Sequence, residues 1–343
     1  MTPILLLGFA ADTFHPENMA LIEQAAQAAN LEVVQTRDRD TIEEILDRVQ
    51  VAAGSFPHDL LPRASRLRWL QQWGAGADWL MQYPEVRELD FILTNVSGIH
   101  AIPISEHIFG LLLAFSRRLP DSLRAQDDVV WLRNNWERNY ALSNRAGRKY
   151  LPVIDRDDVF ELAGKTMLIA GVGEIGVRTA RLARAFDMRV IGVRRNPSRT
   201  AAGVDEMVGP DAMLDALTRA DIAVNALPYT EETRHIFGDA AFAALPNHAV
   251  YITIGRGGTT DEDALVQALE SNAIAWAGLD VFETEPLPPE SPLWRMGNVF
   301  ITPHYSGLSP EYDRRGLAIF LDNLARYRAG QPLRNVVDKR LGY

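Results

Sequence analysis

The chain contains no cysteine, and that absence excludes disulfide bracing, a cysteine nucleophile and any thiolate metal site. It fits a reducing compartment, so a cytoplasmic location is expected. No apolar run is long enough to span a bilayer. No dense block of lysine and arginine occurs either. With 35 Lys and Arg against 45 Asp and Glu, the net charge is −10, which argues against a nucleic-acid footprint. The expected partners therefore include neither nucleic acid nor membrane, and no metal site is expected. The apolar stretch Ile4 to Ala10 lacks a basic flank and meets Asp12 early, so it reads as a first strand rather than a signal peptide. At 343 residues the chain is long for one core, and about two domains are expected.

Strand and helix signals alternate through the first ninety or so residues. Ile4 to Leu7, Leu31 to Gln35, Val49 to Ala53, Leu67 to Gln72 and Phe91 to Thr94 have the apolar, β-rich composition of buried strands. Asn18 to Ala29 and Thr41 to Arg48 have helical spacing, with Glu43 and Glu44 in an N-terminal turn. The order implies an α/β fold with a doubly wound parallel sheet. A second block repeats the alternation, with strands expected at Arg189 to Val193, Ile222 to Asn225, Ala249 to Thr253, Ile274 to Gly278 and Val299 to Thr302. Between the blocks lies an apolar helix, Ser105 to Arg117, followed by a polar, aromatic-bearing stretch, Arg133 to Arg156. That stretch fits an inserted loop covering a site or an oligomer contact. A last helix is expected over Ser309 to Arg328.

The second block opens on Thr166-Met-Leu-Ile-Ala-Gly171-Val-Gly173-Glu-Ile-Gly176. An apolar strand here delivers three glycines at dinucleotide-binding spacing into an amphipathic helix. Gly171 allows the tight turn, Gly173 lets the backbone approach a pyrophosphate, and Gly176 lets the helix pack close to the strand. Unpaired N–H groups at the helix start, with the positive end of its dipole, then meet phosphate charge.

Three later segments bring polar groups to strand ends, where ligands bind in open α/β sheets. Tyr251-Ile-Thr-Ile-Gly255-Arg256-Gly257-Gly258 fixes an arginine between glycines, able to present its planar fork to a carboxylate. Gly278-Leu-Asp280-Val-Phe-Glu283-Thr-Glu285-Pro286 supplies carboxylates. Val299-Phe-Ile-Thr302-Pro303-His304 places a histidine on a loop after a strand. Taken singly, the arginine also fits a surface ion pair and the histidine a polar surface residue. Of the other histidines, His107 reads as a helix residue that caps or hydrogen-bonds. His15, His58, His235 and His248 have no evident strand-end setting beside a carboxylate. His100, next to the expected domain crossing, is a second candidate.

Together these segments resemble the D-isomer-specific 2-hydroxyacid dehydrogenases, with glyoxylate/hydroxypyruvate reductases as the nearest type, over nearly the whole chain. The matching runs are Gly171-Val-Gly-Glu-Ile-Gly176, Asn225-Ala-Leu-Pro-Tyr-Thr with Glu232-Thr233-Arg234-His235-Ile, Ile254-Gly-Arg256-Gly-Gly, and Asp261-Glu-Asp-Ala-Leu265. Leu279-Asp280-Val-Phe-Glu with Glu285-Pro286-Leu287, and Thr302-Pro-His304, complete the set. The resemblance implies Arg256, Glu285 and His304 as the catalytic group. It places a cofactor on Gly171, Gly173, Glu174, Ile175, Gly176, Leu227, Pro228, Thr233, Ile254 and Asp280, the last accepting from the carboxamide. It puts substrate on the backbone of Trp73, Gly74, Ala75 and Gly76. It further implies a flavodoxin-like substrate domain, residues 1–100 plus 306–343, and a Rossmann nucleotide domain, residues 101–305, with the reaction in the cleft between them. A homodimer is expected, with helix Ser105 to Arg117 contributing to its contact.

The chemistry makes the same demands. A 2-oxo acid needs its carboxylate held, its ketone oxygen polarised, and a proton delivered as hydride reaches the carbon. Arg256 is suited to the first two tasks because it is permanently charged. An imidazole such as His304 suits the third, with Glu285 orienting it through the other ring nitrogen. An NAD-selective site carries Asp or Glu at the end of the second strand, about twenty residues past the glycines. This chain has Val193-Arg194-Arg195-Asn196 there, and two guanidinium groups complement a ribose phosphate. NADP(H) is therefore favoured over NAD(H). Alternatively, one or both arginines stack on adenine or face solvent, leaving mixed specificity. A formate-type dehydrogenase is a competing reading, but it needs a neutral partner for the histidine where Glu285 stands. A Rossmann methyltransferase would have no use for the Arg, Glu and His group. A nucleotide-sensing, corepressor-like interaction protein would keep the same fold.

Overall fold

A computed structural model describes residues 1–131, 142–143, 149–150 and 154–342. The polar stretch Arg133 to Arg156 falls mostly outside these. The chain forms two compact units, Met1–Ile99 with Ser309–Tyr343, and His100–Leu308.

The first unit carries β1 (Ile4–Gly8), α1 (Pro16–Ala28), β2 (Glu32–Gln35), α2 (Arg39–Ile45), β3 (Val49–Gly54), β4 (Trp69–Gln71) and β5 (Ile92–Thr94). Its strands pair in parallel in the order β2-β1-β3-β4-β5, a flavodoxin-type winding. Side chains alternate across a strand. In β1, Ile4 and Leu6 join the core with Leu46, Leu60 and Leu93, while Leu5 and Leu7 join Ile22, Trp69 and Phe320. Both faces are covered, so the strand is apolar throughout. The second cluster needs Leu317, Phe320 and Leu324 of the helix Tyr312–Arg328. That requirement brings the chain's end back to its beginning. The helix starts three residues later than expected, because Ser309 to Glu311 form the turn before it.

The second unit begins with α3 (Ala101–Ser116) and α4 (Leu119–Asp127), followed by the antiparallel pair β6 (Leu142–Ser143) and β7 (Lys149–Tyr150). Then come β8 (Thr166–Ala170), α5 (Glu174–Ala185), β9 (Arg189–Val193), β10 (Glu206–Val208), α6 (Met213–Leu217) and β11 (Ile222–Asn225). The series closes with α7 (Asp239–Ala244), β12 (Val250–Thr253), α8 (Glu262–Glu270), β13 (Trp276–Leu279) and β14 (Val299–Ile301). The parallel sheet runs β10-β9-β8-β11-β12-β13-β14, a Rossmann order whose reversal lies between β8 and β11. Strand β10 has no apolar signature because it is a half-buried edge of three residues.

Ile108, Leu111, Leu112 and Phe115 of α3 pack onto Ile169, Val224 and Ile252 of the sheet, while Ile102 on α3 and Leu119 and Leu123 on α4 are exposed. Strand β13 starts at Trp276 rather than Ile274, because Ala273 and Ile274 still bond back to Ala268 at the end of α8.

Candidate active site

Arg256, Glu285 and His304 follow β12, β13 and β14, three adjacent parallel strands. Their loops are locked to one another. A Cβ on Gly257 would lie 1.8 Å from the Phe282 carbonyl oxygen, so only glycine lets the Arg256 loop seat against the segment leading to Glu285. The Phe282 amide donates to Glu285 Oε1 at 3.0 Å. Glu285 Oε2 in turn lies 2.7 Å from His304 Nδ1. A carboxylate only accepts, so Nδ1 carries the proton and Nε2 is turned to other work. From the other side, buried Asn225 donates from Nδ2 to the Tyr251 hydroxyl at 2.9 Å and to Thr259 Oγ1 at 2.8 Å. Thr259 Oγ1 donates to the Arg256 carbonyl at 2.6 Å. Burial pushes the Tyr251 hydroxyl up to about 12, against the lowering effect of its bonds to Thr260 and Asn225, so it serves here as a neutral strut.

The His304 loop has an unusual backbone. His304 sits at φ 49°, a left-handed conformation that side-chain-bearing residues adopt at a cost. Its amide donates to the Asp280 carbonyl at 2.9 Å. The Asp280 side chain, with no solvent exposure, accepts from Thr302 Oγ1 at 2.6 Å and from the amides of Tyr305 and Ser306 at 3.1 Å each. His107 Nε2 lies 3.1 Å from Thr302 Oγ1. Thr302 spends its proton on Asp280, so His107 is the donor in that bond. Burial lowers His107 from the ordinary imidazole range, opposed by the Asp280 charge. His100 caps the start of α3, with Nδ1 3.2 Å from the Gly307 carbonyl. Burial lowers it first of all, the Gly307 bond opposes this, and the positive charges of Arg256 and His304 lower it further. His100 thus shares the electrostatic environment of both catalytic candidates.

The nucleotide elements are equally well defined. Gly171 has φ 98°, and a Cβ there would meet the Ala226 carbonyl oxygen at 2.6 Å. Gly173 caps α5, and a Cβ on it would meet nothing within 4 Å. That space at a helix N-terminus fits a pyrophosphate. Glu174 and Ile175 form the first turn of α5, with Gly176 packed against Gly171. The Leu227 amide donates to Asn225 Oδ1 at 3.2 Å, and Thr233 Oγ1 donates to the Pro228 carbonyl at 2.7 Å. Ile254 is buried and bonds to Asn225 through its amide at 3.1 Å. Arg194 and Arg195 directly follow β9.

In the first unit, the Trp73 to Gly76 turn has its carbonyls pinned. Tyr312 Oη donates to Trp73 O at 2.7 Å, Gln72 Nε2 to Gly74 O at 3.2 Å and also to Gly76 O, and Asn95 Nδ2 to Ala75 O at 2.8 Å. Trp79 Nε1 fixes Gln72 in turn at 2.7 Å. None of the amides of Gly74, Ala75, Gly76 and Ala77 donates a hydrogen bond within the described residues. Carbonyls tied back and amides presented are the arrangement that suits an anion.

The sequence signals missed several of these supports. Gln72 and Asn95 carry no motif; Thr302 stands in the Thr302-Pro-His304 run and His107 reads as a hydrogen-bonding helix residue, but nothing in the sequence joins the two. His235 and His248 also differ from expectation, since each bonds a carboxylate: His235 Nε2 lies 2.8 Å from Glu283 Oε1 and His248 Nε2 2.9 Å from Asp221 Oδ1. Both carboxylates are distant in sequence, which is why the pairing was illegible. Among the described residues no helix is long and apolar enough to cross a membrane.

Comparison with known proteins agrees with this geometry. Residues 109–306 match the NAD-binding domain of the D-isomer specific 2-hydroxyacid dehydrogenases. A glyoxylate reductase of Aeropyrum pernix is 33% identical over 290 residues, covering 82% of this chain and 80% of that protein. The crystal structure of a D-isomer specific 2-hydroxyacid dehydrogenase from Xanthobacter autotrophicus Py2, in complex with NADPH and MES, has a TM-score of 0.78 at 28% identity, with both chains fully covered. An NADPH-dependent glyoxylate/hydroxypyruvate reductase from Sinorhizobium meliloti, in complex with NADP and sulfate, has a TM-score of 0.76 at 29% identity, again with full coverage of both chains. The chain belongs to the D-isomer specific 2-hydroxyacid dehydrogenase family, the NAD(P)-dependent oxidoreductases that act on CH–OH donors.

Proposed function

We propose that this protein reduces a small 2-oxo acid to its D-2-hydroxy acid with NADP(H) preferred over NAD(H), using Arg256, Glu285 and His304. The observation that carries the reading is the Glu285–His304 pair at 2.7 Å, on the strand end next to that of Arg256. The Arg256 guanidinium engages the substrate carboxylate and polarises its ketone oxygen, a planar fork meeting a planar anion. Reduced nicotinamide supplies hydride to the carbonyl carbon when bound. His304 Nε2 donates the proton that converts the developing alkoxide to a hydroxyl. Glu285 holds the ring through Nδ1 and offsets the charge on the imidazolium before that transfer. In the reverse direction the neutral ring takes the hydroxyl proton back. The unit Met1–Ile99 with Ser309–Tyr343 acts as the substrate domain, and the amides of its Gly74 to Gly76 turn suit an anionic group. Arg194 and Arg195, in place of an acid after β9, favour a ribose phosphate. The Aeropyrum relative's name, glyoxylate reductase, and the Sinorhizobium relative's use of NADPH support this reading.

The test is a panel of glyoxylate, hydroxypyruvate and phenylpyruvate, each assayed with NADPH and with NADH. Oxidation of neither cofactor with any 2-oxo acid would sink the enzymatic reading. Arg194→Asp should weaken NADPH far more than NADH, and equal loss of both would sink the cofactor preference.

A further inference from the structure

The two arginines after β9 are placed differently. The Arg194 amide donates to the Val208 carbonyl at 3.0 Å, which ties that residue to the edge strand β10. Arg195 instead directs Nη2 to within 2.6 Å of Glu232 Oε2. Glu232 belongs to the loop after β11, and β9 and β11 are the strands on either side of β8. The ion pair therefore joins the two loops that flank the Gly171 turn. Glu232 is set there by a braced turn: the Thr230 amide donates to Thr233 Oγ1 at 2.8 Å, and Thr233 Oγ1 donates to the Pro228 carbonyl. Both partners are solvent-accessible, at 47% and 74% of their side-chain surface, so the pair adds little to folding. Its position matters more than its strength.

We propose that Glu232 is a specificity-determining residue, which competes with a ribose 2′-phosphate for Arg195 and holds the NADP(H) preference below what two arginines alone would set. This rests on the reading that the arginines after β9 receive that phosphate. A phosphate arriving there must draw Arg195 away from a carboxylate and then lie near that carboxylate's charge. A ribose with a free 2′-hydroxyl meets neither obstacle. Repulsion aimed at one of two similar ligands is a recognised route to discrimination, and here it blunts the attraction of the arginines.

The experiment is equilibrium titration of the intact protein with NADPH, NADH, 2′,5′-ADP and 5′-AMP. Glu232→Gln, close in size to the native residue and uncharged, should tighten NADPH and 2′,5′-ADP on the order of three- to tenfold. NADH and 5′-AMP should change by less than about twofold. In an Arg195→Gln background the same substitution should lose most of its gain. Unchanged affinities, equal tightening of all four ligands, or a gain undiminished without Arg195 would each overturn the proposal. The unsubstituted protein's own ratio of 2′,5′-ADP to 5′-AMP affinity tests the parent reading separately, since a phosphate-selective gain in Glu232→Gln stands whatever that ratio is.

Discussion

At the scale of single residues, the proposed reaction divides labour between groups that meet substrate and groups that aim them. His304 has one ring nitrogen committed to Glu285 at 2.7 Å, and the proposed reaction uses the other for proton delivery. His304→Ala should lower turnover by about 10²- to 10⁴-fold, with NADPH affinity within about twofold of the original because no nucleotide group depends on the ring. Single-turnover kinetics beside a fluorescence titration would read both, and undiminished turnover would remove His304 as proton donor. These residue types were legible in the sequence because an arginine between glycines and a histidine after a proline are local signals. Their supports were not. Asp280 grips the His304 loop through Thr302, Tyr305 and Ser306, and no spacing rule relates a carboxylate to amides twenty-odd residues on.

Elements supply the precision that residues need. The Trp73 to Gly76 turn shows how: its carbonyls are drawn back by Tyr312, Gln72 and Asn95, and its amides are presented by the same act. Asn95→Ala releases the Ala75 carbonyl, and the turn should lose its aim. The expected outcome is a KM for 2-oxo acid raised about tenfold, the value of one well-placed hydrogen bond, with NADPH affinity unchanged. Steady-state kinetics at saturating cofactor would show it, and an unaltered KM would mean the turn does not hold substrate. Helix α3 teaches a related lesson. Its apolar composition was plain in the sequence, yet composition does not say what covers an apolar face. Ile169, Val224 and Ile252 cover it, from strands more than fifty residues away in the chain.

Over the whole molecule, three half-buried histidines link folding to pH. His58, His100 and His107 are each lowered from the ordinary value of 6.5, in every case mainly by burial. Asp59 opposes the shift at His58 and Asp280 at His107, while Arg256 and His304 reinforce it at His100. The unfolded chain then binds protons more readily than the folded one, so stability is complete above about 6.5 and declines as pH falls toward the folded-state values. Denaturant unfolding between pH 7.5 and 5 should show that decline. His107→Gln, whose amide retains a donor for Thr302, should flatten the slope. A slope unchanged by the substitution would assign the acid sensitivity elsewhere.

The sequence alone determined the alternation of strands and helices, the glycine turn and the missing acid after β9, and it singled out Arg256, Glu285 and His304 as the candidate group. All of these are written in periodicity or in neighbours a few positions apart. Only the tertiary structure decided that Arg256, Glu285 and His304 leave adjacent strands, that the last helix completes the first unit's core, and that Glu232 holds Arg195. Strand order and loop-to-loop pairing depend on which apolar faces bury one another across the sheet. That choice is made by the chain as a whole, and no short window of residues records it.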